Sequence, residues 1–374
     1  MKRKNLVLFS VAVVLITAIF LLFKNELRKV GSVNYFSYKL NERILINQNV
    51  NLTNKSQLII DKNNNQFILR ILANRISIID VDRDSVVREF YLDRVKIQSF
   101  DAPDTNNFVI LTDSSFIQYR NTSFREIKFH KFNDDFIPVK HSRIVYCAEL
   151  NEVYSIAVPM NFNYKKLGRY NHKFINVYNL NNLSSNPLDI KYPKTYQIND
   201  LGIPRPFLTK SDSLVIISFE FDENIHTYNF FKKDKIKSIK FVSSSSKLKE
   251  SLPQGLNKAE KVDAIISLSR YNDGYGPAFY DDKKKRFLRI YRPDLPLKDK
   301  NGDFYSSSDV GCNLIILKNR QIKEYKFPNG VYFVYRNWKF NSSNSSLTYL
   351  KIYNPNDKKK VWKYSVHNIY PFDF

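Results

Sequence analysis

One pattern recurs along this chain and limits its folds more than anything else. Short runs of β-branched and aromatic residues, separated by Asn, Asp, Ser and Lys, come in groups of three. Residues 67–72, 75–80 and 86–91 form one group, and 108–111, 116–119 and 124–129 repeat it. The offset is about 41 residues, the length of a blade-sized repeat. Such runs, bounded by turn-forming residues, read as strands joined by hairpins. Further copies are expected at 214–219, 225–230 and 237–241, at 313–317, 321–325 and 330–335, and at 347–353 with 360–364.

A three- or four-stranded meander cannot bury both faces alone, so repeated copies must stack around an axis. The reading is an all-β chain, a β-propeller of six or seven blades over residues 45–374. Tandem antiparallel β-sandwiches are the alternative. The 9 glycines are few for so many tight turns. After the N-terminal region, residues 258–267 are the best short helical candidate.

Ahead of the repeats, Lys2, Arg3 and Lys4 precede an uncharged, nearly all-apolar run over residues 6–23. As a helix it would measure about 27 Å, near the hydrocarbon thickness of a bilayer. A cleaved secretory signal usually has a shorter apolar core and a small-residue cleavage box. The end of this run, Leu21, Leu22, Phe23, Lys24, Asn25 and Glu26, has no such box. The expectation is an uncleaved transmembrane anchor, with 1–5 cytoplasmic and 24–44 a linker. The flanking charge favours an inside N-terminus. The domain would then face the periplasm or the outside from a bacterial inner membrane. No cysteine lies near the end of the run, so lipid attachment there is excluded.

The net charge of +23 invites a nucleic-acid reading. The tether and the scatter of basic runs argue against it. Residues 232–237, 283–286 and 358–360 look like turns and strand ends, solvated and suited at most to anionic headgroups or acidic polysaccharide. The aromatic content of 15% indicates a globular domain. Two cysteines, Cys147 and Cys312, exclude a disulfide scaffold and read as buried free thiols. The sequons at Asn51, Asn54, Asn121, Asn182, Asn341 and Asn344 are expected by chance in an Asn- and Ser-rich chain.

Catalytic signals are sparse. His130, His141, His172, His226 and His367 have no metal-binding spacing, and His226 reads as a cross-strand packing residue. There is no GxSxG elbow, P-loop or GxGxxG. Residues 299–303 resemble a calcium loop, but Gly302 and Val310 occupy the wrong positions, so a tight turn is expected. Asp134–Asp135 and Asp281–Asp282 are sequence neighbours and do not define a glycosidase pair. No catalytic residue, metal or cofactor is assigned.

Three stretches interrupt the rhythm, at 159–171, 192–208 and 243–257, and loops on a rigid scaffold commonly carry binding. The candidate binding residues there are Arg169, Tyr170, His172 and Arg205.

From Tyr275 the chain reads Tyr-Gly-Pro-Ala-Phe-Tyr-Asp-Asp-Lys-Lys-Lys-Arg-Phe-Leu-Arg-Ile-Tyr-Arg-Pro-Asp. This resembles a segment of an uncharacterised bacterial family of secreted, often lipid-anchored, six-bladed propellers grouped with the TolB-like propellers. Tyr275, Tyr280–Asp281 and the strand from Arg286 to Arg289 carry the likeness, and the family's lipidation cysteine is missing. The resemblance implies fold and location more than activity, and it adds Tyr275 and Tyr280 to the candidates. The functional expectation is a tethered scaffold or binding module for a protein, peptide or glycan. The alternatives are a propeller hydrolase or lyase using carboxylates in the central funnel, and a sensor ectodomain weakened by its short cytoplasmic tail.

Overall fold

The computed structural model describes residues 36–45, 56–61, 63–72, 74–93, 95–132, 136–140, 142–159, 172–194, 196, 206–243, 257, 260, 274–293, 312–327, 338–353 and 362–371. The expected anchor (6–23), the 299–303 turn, residues 330–335 and most of the short helical candidate lie outside them. Among the described residues, no helix is long and apolar enough to cross a membrane.

Six antiparallel sheets follow one another along the chain, and together they make a six-bladed propeller. Blade 1 is β2 (Ser56–Ile60), β3 (Gln66–Leu72), β4 (Arg75–Asp80) and β5 (Ser85–Tyr91). Blade 2 is β6 (Ile97–Asp101), β7 (Asn107–Thr112), β8 (Ser115–Arg120) and β9 (Ser123–Lys128). In blade 3 the first strand is split into β10 (Phe136–Pro138) and β11 (Ile144–Cys147), which pair with opposite ends of β12 (Glu152–Pro159). β13 (Ile175–Asn179) and β14 (Ser185–Pro187) complete it. Blade 4 is β15 (Phe207–Lys210), β16 (Leu214–Ser218), β17 (Asn224–Asn229) and β18 (Lys237–Lys240). Blade 5 is β19 (Gly274–Asp281), β20 (Arg286–Arg292), β21 (Asn313–Lys318) and β22 (Gln321–Lys326). Blade 6 is β23 (Trp338–Asn341), β24 (Ser346–Tyr353) and β25 (Trp362–Pro371), with β1 (Phe36–Leu45) as its outer strand.

Several expectations are corrected here. Every sheet except the closing one is built from consecutive strands, which displaces the tandem-sandwich alternative. β1 occupies the second half of the 24–44 segment read as linker, because closing a ring of sheets by hydrogen bonds requires one strand from the far end of the chain. The 313–325 pair does not open a new repeat. It supplies the third and fourth strands of the blade begun by β19 and β20. Blade 3 escaped the periodicity, since its first strand is broken and its central strands are separated by residues 160–174.

The first strand of each blade is innermost. β2, β6, β11, β15, β19 and β23 approach one another from blade to blade. The fourth strands β5, β9, β18 and β22 are largely exposed. The core therefore lies between blades. Ile71, Phe108 and Tyr119 fill one interface, Phe116, Tyr146 and Tyr178 the next, and Tyr154, Phe174 and Phe219 the third. Burying this apolar set drives the assembly.

Scarce glycine is explained by the turns. Asn64, Asp84, Asn121, Asn151 and Asn319 take φ between 50° and 66°, the left-handed region that Asn and Asp tolerate best among side-chain-bearing residues. Asx turns reinforce them. Asp80 Oδ1 accepts from the Asp82 and Arg83 amides, and Asn179 Oδ1 from Asn181 and Asn182. Asn121, Asn182, Asn341 and Asn344 thus have backbone reasons to be where they are.

Polar contacts close the ring. Gln66 Nε2 donates to Asn368 Oδ1 at 2.7 Å and Asn341 Nδ2 to Asn64 Oδ1 at 3.1 Å, joining blades 6 and 1. Deleting β1 would leave the β25 edge unpaired. A chain beginning at residue 46 is expected to lose its cooperative calorimetric transition and to aggregate.

Candidate binding face

Strand alternation divides the connections between two faces. Turns between the first and second strands, and between the third and fourth, are short, running from 319–320 to 230–236. We call this the short-turn face. The long segments 160–174, 188–206, 241–273, 293–312 and 327–337 all join strand ends on the opposite face. Long connections clustered on one end of a rigid scaffold make that end the natural place for recognition.

The described part of the long-connection face is floored by aromatic rings between blades 3 and 4. Tyr192 stacks on Phe174 with centroids 4.2 Å apart, and His172 meets the Tyr192 edge at 5.9 Å. Phe219 packs against Phe174, Tyr192 and Tyr196. The Phe221 amide donates to the Tyr196 hydroxyl at 3.1 Å, and burial raises that phenol well above its ordinary range. Lys191 and Lys194 stand exposed beside this floor.

Toward blade 5, residues 219–223 of blade 4 are clamped by a buried cation. Arg289 Nη1 donates to the Glu223 and Phe241 carbonyls, both at 3.2 Å. Its Nη2 donates to the Phe219 carbonyl at 3.0 Å and the Asp222 carbonyl at 2.8 Å. The guanidinium lies 4.0 Å from the Tyr275 ring centroid, a desolvated cation–π contact. Burial lowers the guanidinium to about 10, so it stays charged at neutral pH. Asp222 is pushed up by burial, but the nearby His226 imidazole and hydrogen bonds from Asn224 outweigh this and hold it below the usual carboxylate range. His226, read as a packing residue, also lies 3.5 Å from Asp222 Oδ2.

Alongside, Arg292 pairs with Glu220 at 3.4 Å, and the Tyr275 amide donates to the Glu220 carbonyl at 2.9 Å. Gly274 leaves room for that pair, since a Cβ there would meet Arg292 Nη2 at 3.1 Å. β19 then bulges between Tyr275 and Ala278. The Ser218 and Thr209 hydroxyls of blade 4 take the freed Gly276 and Ala278 carbonyls.

Among the sequence candidates, His172 belongs to this face and Tyr275 lies beneath it. Tyr275 is 3% exposed, so its ring serves Arg289 rather than a ligand. Tyr280 lies toward the opposite end of β19, its ring tilted against that of Phe287 with centroids 4.6 Å apart. Arg169, Tyr170 and Arg205 lie outside the described residues. Tyr192, Tyr196 and Lys191 went unassigned, although the break in strand rhythm after blade 3 had already marked the first two.

On the inner strands, Asp101 bridges three blades. It accepts from Gln57 Nε2 of blade 1 at 2.6 Å and from the Tyr146 amide of blade 3 at 2.7 Å. Burial lowers Lys339 of blade 6, with Asp101 opposing the shift and Lys210 adding to it. Cys147 and Cys312 are buried thiols, as expected, and burial pushes the Cys147 thiol up to about 12. Among the described residues, no group of three or more His, Cys, Asp or Glu side chains is arranged to hold a metal ion.

No protein-family model matches the chain, and no curated protein is similar to it. Among solved structures, it is similar to a member of the DUF4221 family from Bacteroides vulgatus. The TM-score is 0.65 at 14% identity, over 91% of this chain and 100% of that one. At that identity the likeness shows the fold alone. Virginiamycin B lyase from Staphylococcus aureus aligns at a TM-score of 0.45 and 11% identity, over 88% of this chain and 99% of that one. That likeness is too loose to carry an argument.

Proposed function

We propose that the chain is a bacterial extracytoplasmic propeller of the TolB-like kind, held at the inner membrane through residues 6–23, that binds a protein, peptide or glycan. The observation that carries this reading is the segregation of the long connections to one face, over an aromatic floor edged by Lys191 and Lys194. The rings of the floor are themselves buried, so the exposed Lys191 and Lys194 and the partly exposed His172 are the groups it presents to the hydroxyls, carbonyls or carboxylates of a ligand. Arg289, Glu220 and Arg292 are committed to holding blades 4 and 5 together, which makes the floor rigid without offering reactive groups. Preorganisation of this kind lowers the entropic cost of binding. On the inner strands, Asp101 is engaged by Gln57 and a backbone amide, an arrangement suited to bracing the ring rather than moving protons.

The test is crosslinking of the full chain in native membranes, with a glycan array beside it. Lys191→Glu combined with Lys194→Glu should weaken retrieval of the bound partner about tenfold. Asp82→Ala with Asp84→Ala, on the short-turn face, should leave retrieval unchanged. Cleavage of a polysaccharide by a chain that retrieves no partner would favour the hydrolase or lyase reading.

A further inference from the structure

Charge is unevenly distributed around the short-turn face. In blades 1 and 2 its turns carry Asp61, Asp82, Asp84 and Asp104, against Lys62 and Arg83. In blades 4 and 5 they carry Lys232, Lys233, Lys235, Lys283, Lys284, Lys285 and Arg320, against Asp212, Asp234 and Asp282. These basic turns are built, not loose. Asn229 Oδ1 accepts from the Phe231 and Lys232 amides, and the Lys233 amide donates to the Asn229 carbonyl at 2.8 Å. Asp281 Oδ1 accepts from the Lys284 amide, and Lys283 Nζ donates to the Ser343 carbonyl of blade 6. Within the basic patch Phe231 is 54% exposed, its ring 4.5 Å from that of Phe230.

The chain enters the propeller on this same face. Ile369 of β25 pairs with Leu347, next to the short turn 342–345, so β25 ends on the short-turn face at Pro371. Phe36 and Ser37 group in space with Pro371, which places the start of β1 beside that end. Blade 6 adjoins blade 5. Between residue 23 and β1 the chain can span at most about 47 Å. An apolar anchor at 6–23 would therefore hold the basic turns close to the bilayer.

We propose that the short-turn face of blades 4 and 5 is a footing that binds the anionic headgroups of the membrane carrying the anchor, with Phe231 at the interface. The inference rests on the tether reading above. Clustered lysines are drawn to an anionic surface within a Debye length, and an exposed aromatic ring partitions into the headgroup layer. The footing turns the long-connection face toward the aqueous side. It also assigns the 232–237 and 283–286 basic runs a common surface.

The experiment places the full chain in nanodiscs of phosphatidylcholine, with or without phosphatidylglycerol, and measures lysine acetylation rates by mass spectrometry. With phosphatidylglycerol, Lys232, Lys235, Lys283 and Lys285 should react about tenfold more slowly, and high salt should restore their rates. Lys191 and Lys194 should react equally in both discs. The quadruple change Lys232→Glu, Lys235→Glu, Lys283→Glu and Lys285→Glu should abolish protection of the neighbouring Lys233. Equal rates in both discs, from a chain that is incorporated, would overturn the footing and leave the tether standing. Protection that persists without phosphatidylglycerol and at high salt would mean a protein contact and also overturn it. A chain that stays out of the discs overturns the tether. Its lysine rates with added phosphatidylglycerol vesicles then decide the footing separately.

Discussion

Arg289→Met is expected to lower the free energy of unfolding by about 3–5 kcal/mol, the scale of losing a buried hydrogen-bond network. The methionine fills much of the volume but donates nothing to the carbonyls of Phe219, Asp222, Glu223 and Phe241. Each buried carbonyl left without a donor costs about 1–3 kcal/mol, less whatever water or relaxation recovers. Arg289→Lys should restore less than half, because an ammonium has three donors and cannot stack flat over Tyr275. Urea denaturation of the full chain, followed by tyrosine fluorescence, gives both values. Near-wild-type midpoints for both variants would show that the carbonyls find other donors, and the clamp would not be what joins blades 4 and 5.

Asp281→Ala should be comparably severe, at about 3–5 kcal/mol, because it strands the Arg286 guanidinium in the interior. The pair is 3.1 Å apart, with side chains 0% and 1% exposed. Asp281 also accepts from the Lys284 amide and the Ser345 hydroxyl of blade 6, each at 3.1 Å. Asp281→Leu combined with Arg286→Met removes both charges and should recover roughly half the loss, leaving the Lys284 and Ser345 donors unpaired. A double mutant as unstable as the sum of its parts would exclude coupling between the two charges.

Both predictions fall on a segment that stands out in the sequence, and the contrast with its sequence reading is informative. The tyrosines and arginines from Tyr275 to Arg292 pointed to a propeller and suggested ligand contacts. In the structure, Arg289 bonds only backbone carbonyls and Arg286 faces Asp281. Sequence cannot separate an arginine that holds a ligand from one that holds a neighbouring blade, since both call for the same planar fork of donors. The difference is whether the space before the guanidinium is filled by residues 219–223, which lie about 70 positions upstream.

The strand rhythm was legible because the middle strands of each blade are covered on both faces and carry continuous apolar runs, as in β4, where Ile76, Ile78 and Ile79 are buried. The inner strands were less legible. β15 and β23 are four residues long and carry Lys210 and Lys339, so they lack an apolar signature. The candidate face was half legible, through the break in rhythm that contains Tyr192 and Tyr196.

By itself the sequence determined an all-β chain of stacked meanders, its turns set by Asn and Asp, because local alternation and turn chemistry depend only on neighbouring residues. The tertiary structure alone decided that there are six blades, that β1 closes the last, and that the long connections share one face. It also decided that the basic turns gather on the other. Those properties depend on contacts between residues as far apart as Gln66 and Asn368, and no local pattern encodes which distant strand completes a ring.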